Sequence, residues 1–359
     1  MTPPPSGLRR LAGLACMVGV VGATSNAAAF CREITASPPA GYDPVAQGCF
    51  GAQATGVFEV YWSNLCVGYS LQKDASIQVT LDQATQVAAQ AFAAWSGATC
   101  GSGGPSITAI DEGPVDCALV QYNDDQPNQH VIIFRDDAWP YSDSSNTLGL
   151  TTVTFDVTDG EIFDADMEIN SHDYPLVVDG TGNADAGGYD LLSIMTHEAG
   201  HFLGLAHSTD TSAMMFAHYE SGATTLTADD VAGICTIDPP DGTRSTSNGA
   251  LAGETCDPTP RHGFSTECAS TSPDGGAVDG EPADEAGGAG TSAGTTQSAC
   301  SLAASPGRPA PVGPAIGGLF GLGVFVQHAR RRGRRYGAAS ATARGKKSPF
   351  RHMGYRRHR

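Results

Sequence analysis

The order of predicted elements in this 359-residue chain points to an α+β fold. Three observations carry that reading. Short runs of β-type residues recur between residues 57 and 169, an Ala-rich amphipathic stretch interrupts them at 81–95, and two helical stretches follow the last strand, at 191–203 and 227–237. Strands, a helix, more strands and then two helices are segregated rather than alternating, as α+β layouts require.

Taken in order, residues 57–62 and 66–71 alternate or run apolar, the pattern of strands. In 81–95, Val87, Ala91, Phe92 and Trp95 share one face at helical spacing, and Phe92 and Trp95 read as core. Gly- and Pro-containing turns then separate the strand runs 107–110, 131–134, 147–155 and 162–169. Residues 173–188 form a Gly/Asp loop. Asp190 stands where its carboxylate caps the helix over 191–203.

The ends of the chain differ from its middle. Arg9 and Arg10 precede an apolar run over 11–23, and Ala27, Ala28 and Ala29 supply small residues for cleavage. Residues 1–29 therefore read as a secretory signal peptide, cut before Phe30. Residues 30–242 form the folded domain, and 243–299, rich in Gly, Ser, Pro and acid, a flexible spacer. A terminal segment, 300–335, combines Cys300, an apolar run over about 312–326 and the Arg cluster at 330–335; a basic tail, 336–359, closes the chain. That apolar run is short against the roughly 20 residues of a spanning helix.

Charge and cysteine usage narrow the partners. All 38 Asp and Glu, but only five Lys and Arg, lie within residues 32–285. Such a surface excludes nucleic acid, whose phosphates need a basic face, and favours solubility. The chain is expected to act as a monomer. Of ten Cys, Cys16 leaves with the signal and Cys300 belongs to the terminal segment. Eight remain, an even number suited to up to four disulfides in an exported protein. Cys256 and Cys268 are expected to close a small loop outside the main domain; the other pairings stay open.

The chemistry concentrates in His197-Glu198-Ala199-Gly200-His201-Phe202-Leu203-Gly204-Leu205-Ala206-His207, which reads H-E-x-x-H-x-x-G-x-x-H. Residues four apart on a helix share a face, so His197 and His201 aim at one cation. Glu198 is placed to take a proton from water rather than to bind metal. Gly204 tolerates the left-handed backbone that ends the helix, which returns His207 as a third nitrogen ligand. Three nitrogens with one open position describe a catalytic Zn(2+) site.

With that motif placed, the chain resembles a metzincin, specifically a matrixin-type zinc endopeptidase. Ser208 after the third His is similar to the matrixin choice. Residues 213–219, Ala-Met-Met-Phe-Ala-His-Tyr, resemble the family's Met-turn and make Met215 the floor of the site. Residues 91–96 resemble its first-helix pattern and 229–234 its third. The likeness covers about 57–237. It implies a twisted five-stranded sheet with three helices, and an edge strand over 148–153 that pairs with an extended protein or peptide substrate. On that scheme Leu150, Thr151 and Tyr219 contact substrate. Departures follow: Ile162 stands where a structural-zinc His would, and Met167 where a calcium-binding Glu would, so no structural zinc is expected and Ca(2+) at Asp164 is disfavoured. Ala217 replaces a Pro in the specificity-pocket wall. No cysteine-switch prosegment is visible, and 30–56 is short for a prodomain.

The terminal segment resembles the three-part sorting signal of exported myxobacterial proteins: Cys motif, hydrophobic stretch, Arg cluster. It implies transient membrane anchoring through that segment and a protein left at the cell surface or secreted. The expected activity is peptide-bond hydrolysis. The alternative is a catalytically silent zinc-containing binding module, against which the intact base and ligand set weigh.

Overall fold

The structure is a computed structural model and describes residues 29–39, 41–51, 54–141, 147–178, 188–269 and 294–303. The signal peptide, the apolar run, the Arg cluster and the basic tail lie outside the described residues. Among those described, no helix is long and apolar enough to cross a membrane.

In chain order the elements are β1 (Cys31–Arg32), α1 (Pro44–Gln47), β2 (Cys66–Leu71), α2 (Leu81–Ser96), β3 (Thr108–Asp111), β4 (Val131–Phe134), β5 (Thr147–Phe155) and β6 (Ile162–Ile169). There follow β7 (Leu176–Val177), β8 (Tyr189–Asp190), α3 (Leu191–Phe202), β9 (Leu205–Ala206), α4 (Ala228–Ile237), β10 (Thr243–Thr246), β11 (Gly249–Ala252) and β12 (Gly294–Ala303). Within a six-stranded mixed sheet of order β12-β5-β6-β4-β2-β3, the five strands β5-β6-β4-β2-β3 are parallel except for the antiparallel pair β5/β6. This is the α+β matrixin-like layout that the sequence predicts.

The helices form where local chemistry and the core agree. Thr80 and Gln83 close a capping box on α2, which buries Val87, Ala88, Ala91, Phe92 and Trp95. Asp190 caps α3 by accepting from Leu192 N. Almost every α3 side chain is buried, so this helix runs through the core rather than over it. Two indoles fix its position: Trp95 Nε1 donates to Thr196 O and Trp62 Nε1 to Phe202 O, each at 2.8 Å. Both bonds satisfy a buried polar group while the ring fills apolar space.

Three expectations need correction. Residues 57–62 make isolated bridges instead of a strand, because their backbone groups are divided among partners: Val60 N donates to Glu33 O, Tyr61 N to Gly160 O, and Tyr61 O accepts from Ile162 N. Cys256 and Cys268 do not pair with each other. The bridges are Cys31–Cys49, Cys66–Cys256, Cys100–Cys235 and Cys117–Cys268, and the second and fourth tie the segment after residue 254 to β2 and to the connection between β3 and β4. Nor is 243–269 a loose spacer. The β10/β11 hairpin carries the fully buried Arg244, whose guanidinium donates to Trp62 O, Asn64 O and Ser106 O. Composition misled because this segment is held by bridges and one buried cation rather than by an apolar face.

The outer edge of β5, assigned by resemblance to substrate, is paired antiparallel with β12 in this structure.

Candidate metal centre and active site

His197 and His201 lie one helical turn apart on α3, and the turn at Gly204, with φ of +94°, redirects the chain toward His207. One ligand atom from each of the three imidazoles falls within 4.8 Å of the others, and among the described residues this is the one such group. The tautomers follow from the partners. His197 Nδ1 faces Met214 O and His201 Nδ1 faces Leu205 O, both at 2.7 Å. A carbonyl only accepts, so each Nδ1 carries the proton and each Nε2 presents a lone pair. Those two Nε2 atoms are 3.1 Å apart. Lone pairs so opposed repel unless an electropositive centre stands between them. His207 Nε2, buried without a hydrogen-bond partner, completes the set. Burial keeps the rings neutral, holding His201 down to about 4 and the other two well below the ordinary imidazole range, helped by their mutual repulsion. Three neutral imidazoles, two buried and the third half-buried, fit a zinc ion.

Glu198 is reached from the sheet. Thr151 Oγ1 on β5 donates to Glu198 Oε2 at 2.7 Å. The strand comes so close that a Cβ on Gly149 would lie 2.7 Å from Glu198 Oε1, so only glycine fits there. Gly200, between the two helical ligands, is similarly constrained: a Cβ there would meet Met215 Sδ at 2.2 Å and Trp95 Cζ2 at 2.7 Å. Met215 is thus packed under the metal helix. Asp230 on α4 holds this turn, its two oxygens accepting from Met214 N at 2.8 Å and Met215 N at 3.0 Å.

The residues expected to contact substrate have internal duties. Thr151 spends its hydroxyl on Glu198 and Leu150 is buried. Tyr219 accepts from Asp190 N at 3.0 Å and braces the start of α3. Sequence reasoning missed Gly149, Gly200 and the Met-turn role of Asp230. The capping-box spacing of Thr227 and Asp230 marks the last of these, but nothing local marks the two glycines. It also missed Glu33, whose Oε1 lies 3.4 Å from His201 Nδ1.

Residues 61–237 match the Matrixin family. That segment, just under half of the chain, is similar to matrixin domains. Among curated relatives, the chain is 43% identical over 70 residues to interstitial collagenase of Bos taurus, covering 19% of this chain and 15% of the collagenase. It is 36% identical over 86 residues to stromelysin-1 of Equus caballus, covering 20% and 18% respectively. Over a longer stretch it is 29% identical to matrix metalloproteinase-20 of Homo sapiens, across 165 residues, 45% of this chain and 28% of that protein. The chain therefore spans less than a third of each of these relatives. The matched stretch takes in α2, the five-stranded sheet, the metal helix, the Met-turn and α4, whereas β1 with Glu33 and the β10/β11 hairpin lie outside it.

Proposed function

We propose that the matrixin domain is a zinc-dependent endopeptidase acting on extended protein or peptide substrates. The observation that carries this reading is the convergence of three neutral imidazoles beside a carboxylate held by its own donor, Thr151. His197, His201 and His207 would hold the ion. The chemistry zinc supplies in such a site is Lewis acidity toward water and a carbonyl oxygen. Glu198 takes the proton of the attacking water and passes it to the leaving amine, acting as base and then as acid. The Met214 and Leu205 carbonyls fix two ligand rings in the tautomer that leaves Nε2 open.

Export through residues 1–29, with the tail directing surface retention or release, belongs to the same proposal. Four disulfides suit an oxidising compartment. The test is Glu198→Gln assayed on casein and a peptide library, with zinc content measured in parallel. Loss of turnover with zinc retained is the expected result. Turnover equal to the parent would overturn the mechanism, and a zinc-loaded parent that cleaves nothing would favour the silent binding module.

A further inference from the structure

We infer that Glu33, the residue after β1 and outside the matrixin match, is a positioning residue for the proposed metal ligand His201. The inference rests on the proposed zinc site but not on turnover. Glu33 is 2% exposed and its Oε1 lies 3.4 Å from Nδ1 of the fully buried His201. Its backbone is clamped on both sides, Glu33 N donating to Gly204 O and Glu33 O accepting from Val60 N, each at 3.0 Å. The preceding pair, Cys31–Arg32, forms a strand with Leu205–Ala206, and Cys31 is bridged to Cys49. The carboxylate is therefore delivered to the ring by fixed backbone rather than by a mobile side chain.

His201 Nδ1 already donates to Leu205 O at 2.7 Å. Glu33 adds a buried carboxyl group behind the same N–H. When Nε2 binds a dication, positive charge spreads onto the ring, and a carboxylate behind it strengthens the ligand. In the metal-free protein that gain is absent, so this contribution of Glu33 is confined to the ion-bound state.

The experiment uses the exported chain with Glu33→Gln, which keeps shape and removes charge. Zinc affinity is read by competition with a chromophoric chelator, and thermal midpoints are read with and without metal. We expect zinc affinity to fall about 10- to 100-fold, while the metal-free variant melts no lower than the metal-free parent. Unchanged affinity overturns the inference. So does a fall in affinity matched by a lower metal-free midpoint, since that marks a merely structural role. None of these readouts depends on peptide hydrolysis, so failure here is distinct from failure of the endopeptidase reading.

A second inference comes from the sheet edge. We propose that the segment Gly294–Ala303 occupies the substrate's place on β5, so that the chain closes its own cleft. The ladder is antiparallel, with Thr295 opposite Thr154, Cys300 opposite Thr151 and Ser301 opposite Leu150. Thr151 is the residue that holds Glu198. Cα atoms of β12 also come within 8 Å of those of α3, so the segment passes the metal helix. An edge strand offers one row of backbone donors and acceptors, and a peptide substrate and β12 cannot use it together. This rests on the endopeptidase reading; the amide-exchange readout of its test does not.

In the full chain, Thr295→Pro with Ser301→Pro removes ladder donors from β12. We expect amide exchange of β5 to quicken and KM for an extended peptide to fall several-fold with kcat unchanged. Unchanged β5 exchange overturns the proposal whether or not the chain cleaves peptides. Faster exchange without a change in KM also overturns it, because the segment then lies outside the substrate's path.

Discussion

Thr151 Oγ1 donates to Glu198 Oε2 across 2.7 Å, joining the sheet edge to the carboxylate beside the metal ligands. The same hydroxyl lies 3.2 Å from Glu198 O, so one side chain fixes both the carboxylate and its helical turn. Hydrogen bonds to charged groups contribute about 1.5–3 kcal/mol. Thr151→Val should therefore lower kcat by roughly 10- to 100-fold, leave zinc content unchanged and move KM little. Thr151→Ser should restore most of the rate. Steady-state kinetics with metal analysis check both variants.

Asp230 accepts from Met214 N, Met215 N and Thr227 N, joining the Met-turn to the start of α4. Asp230→Ala leaves these buried donors without their acceptor, at about 1–3 kcal/mol for each that stays unsatisfied. The expected outcome is a fall in Tm of about 10 °C and weaker zinc binding, because Met214 O orients His197. Calorimetry of the zinc-loaded protein, followed by chelator titration, measures both.

Arg244 tests whether 243–269 belongs to the folded unit. It is fully buried, with Asp238 at 3.3 Å and carbonyls of 62, 64 and 106 around it. Removing one partner of a buried ion pair costs about 3–5 kcal/mol. Arg244→Ala should destabilise the domain by that amount, as read by denaturant unfolding. A change within 0.5 kcal/mol, the range of about ±0.5 usual for surface sites, would return the segment to the status of a spacer.

Stability should depend on pH through a buried cluster behind the sheet. Burial pushes Asp166 up to about 8 and raises its neighbour Asp164 well above the usual carboxylate range, while His130 is lowered to about 4, also by burial. Unfolded, the carboxyls ionise near pH 4, so the folded state holds extra protons above that, and their contribution is lost as pH rises toward 8. His130 works the other way: its contribution is complete above about 6.5 and is lost as pH falls toward 4. The two slopes oppose each other between 4 and 6.5, leaving only the carboxyl effect from 6.5 to 8. Tm should fall by a few degrees across that upper window, and Asp166→Asn should flatten the slope in a pH-resolved melting series.

Much of the site was legible because its information is local. The i, i+4 spacing of His197 and His201, the adjacent Glu198 and the Gly204 turn are consequences of helical geometry, which sequence alone dictates. The fold class came through in the same way, from hydrophobic periodicity in α2, from the β-type runs and from the cap Asp190. Segment 57–62 misled because an apolar alternation reports burial, not which partners take the backbone hydrogen bonds.

By itself, then, the sequence determined that three imidazoles gather around one helix with a carboxylate beside them, and in what order the elements follow. Only tertiary structure decided that Cys66 finds Cys256, that Arg244 is core, that Gly149 must lack a Cβ and that Glu33 stands behind His201. Those contacts join residues 49 to 190 positions apart. No spacing rule reaches that far, because such neighbours are chosen by how whole elements pack, and packing is a property of the assembled core rather than of any window of the chain.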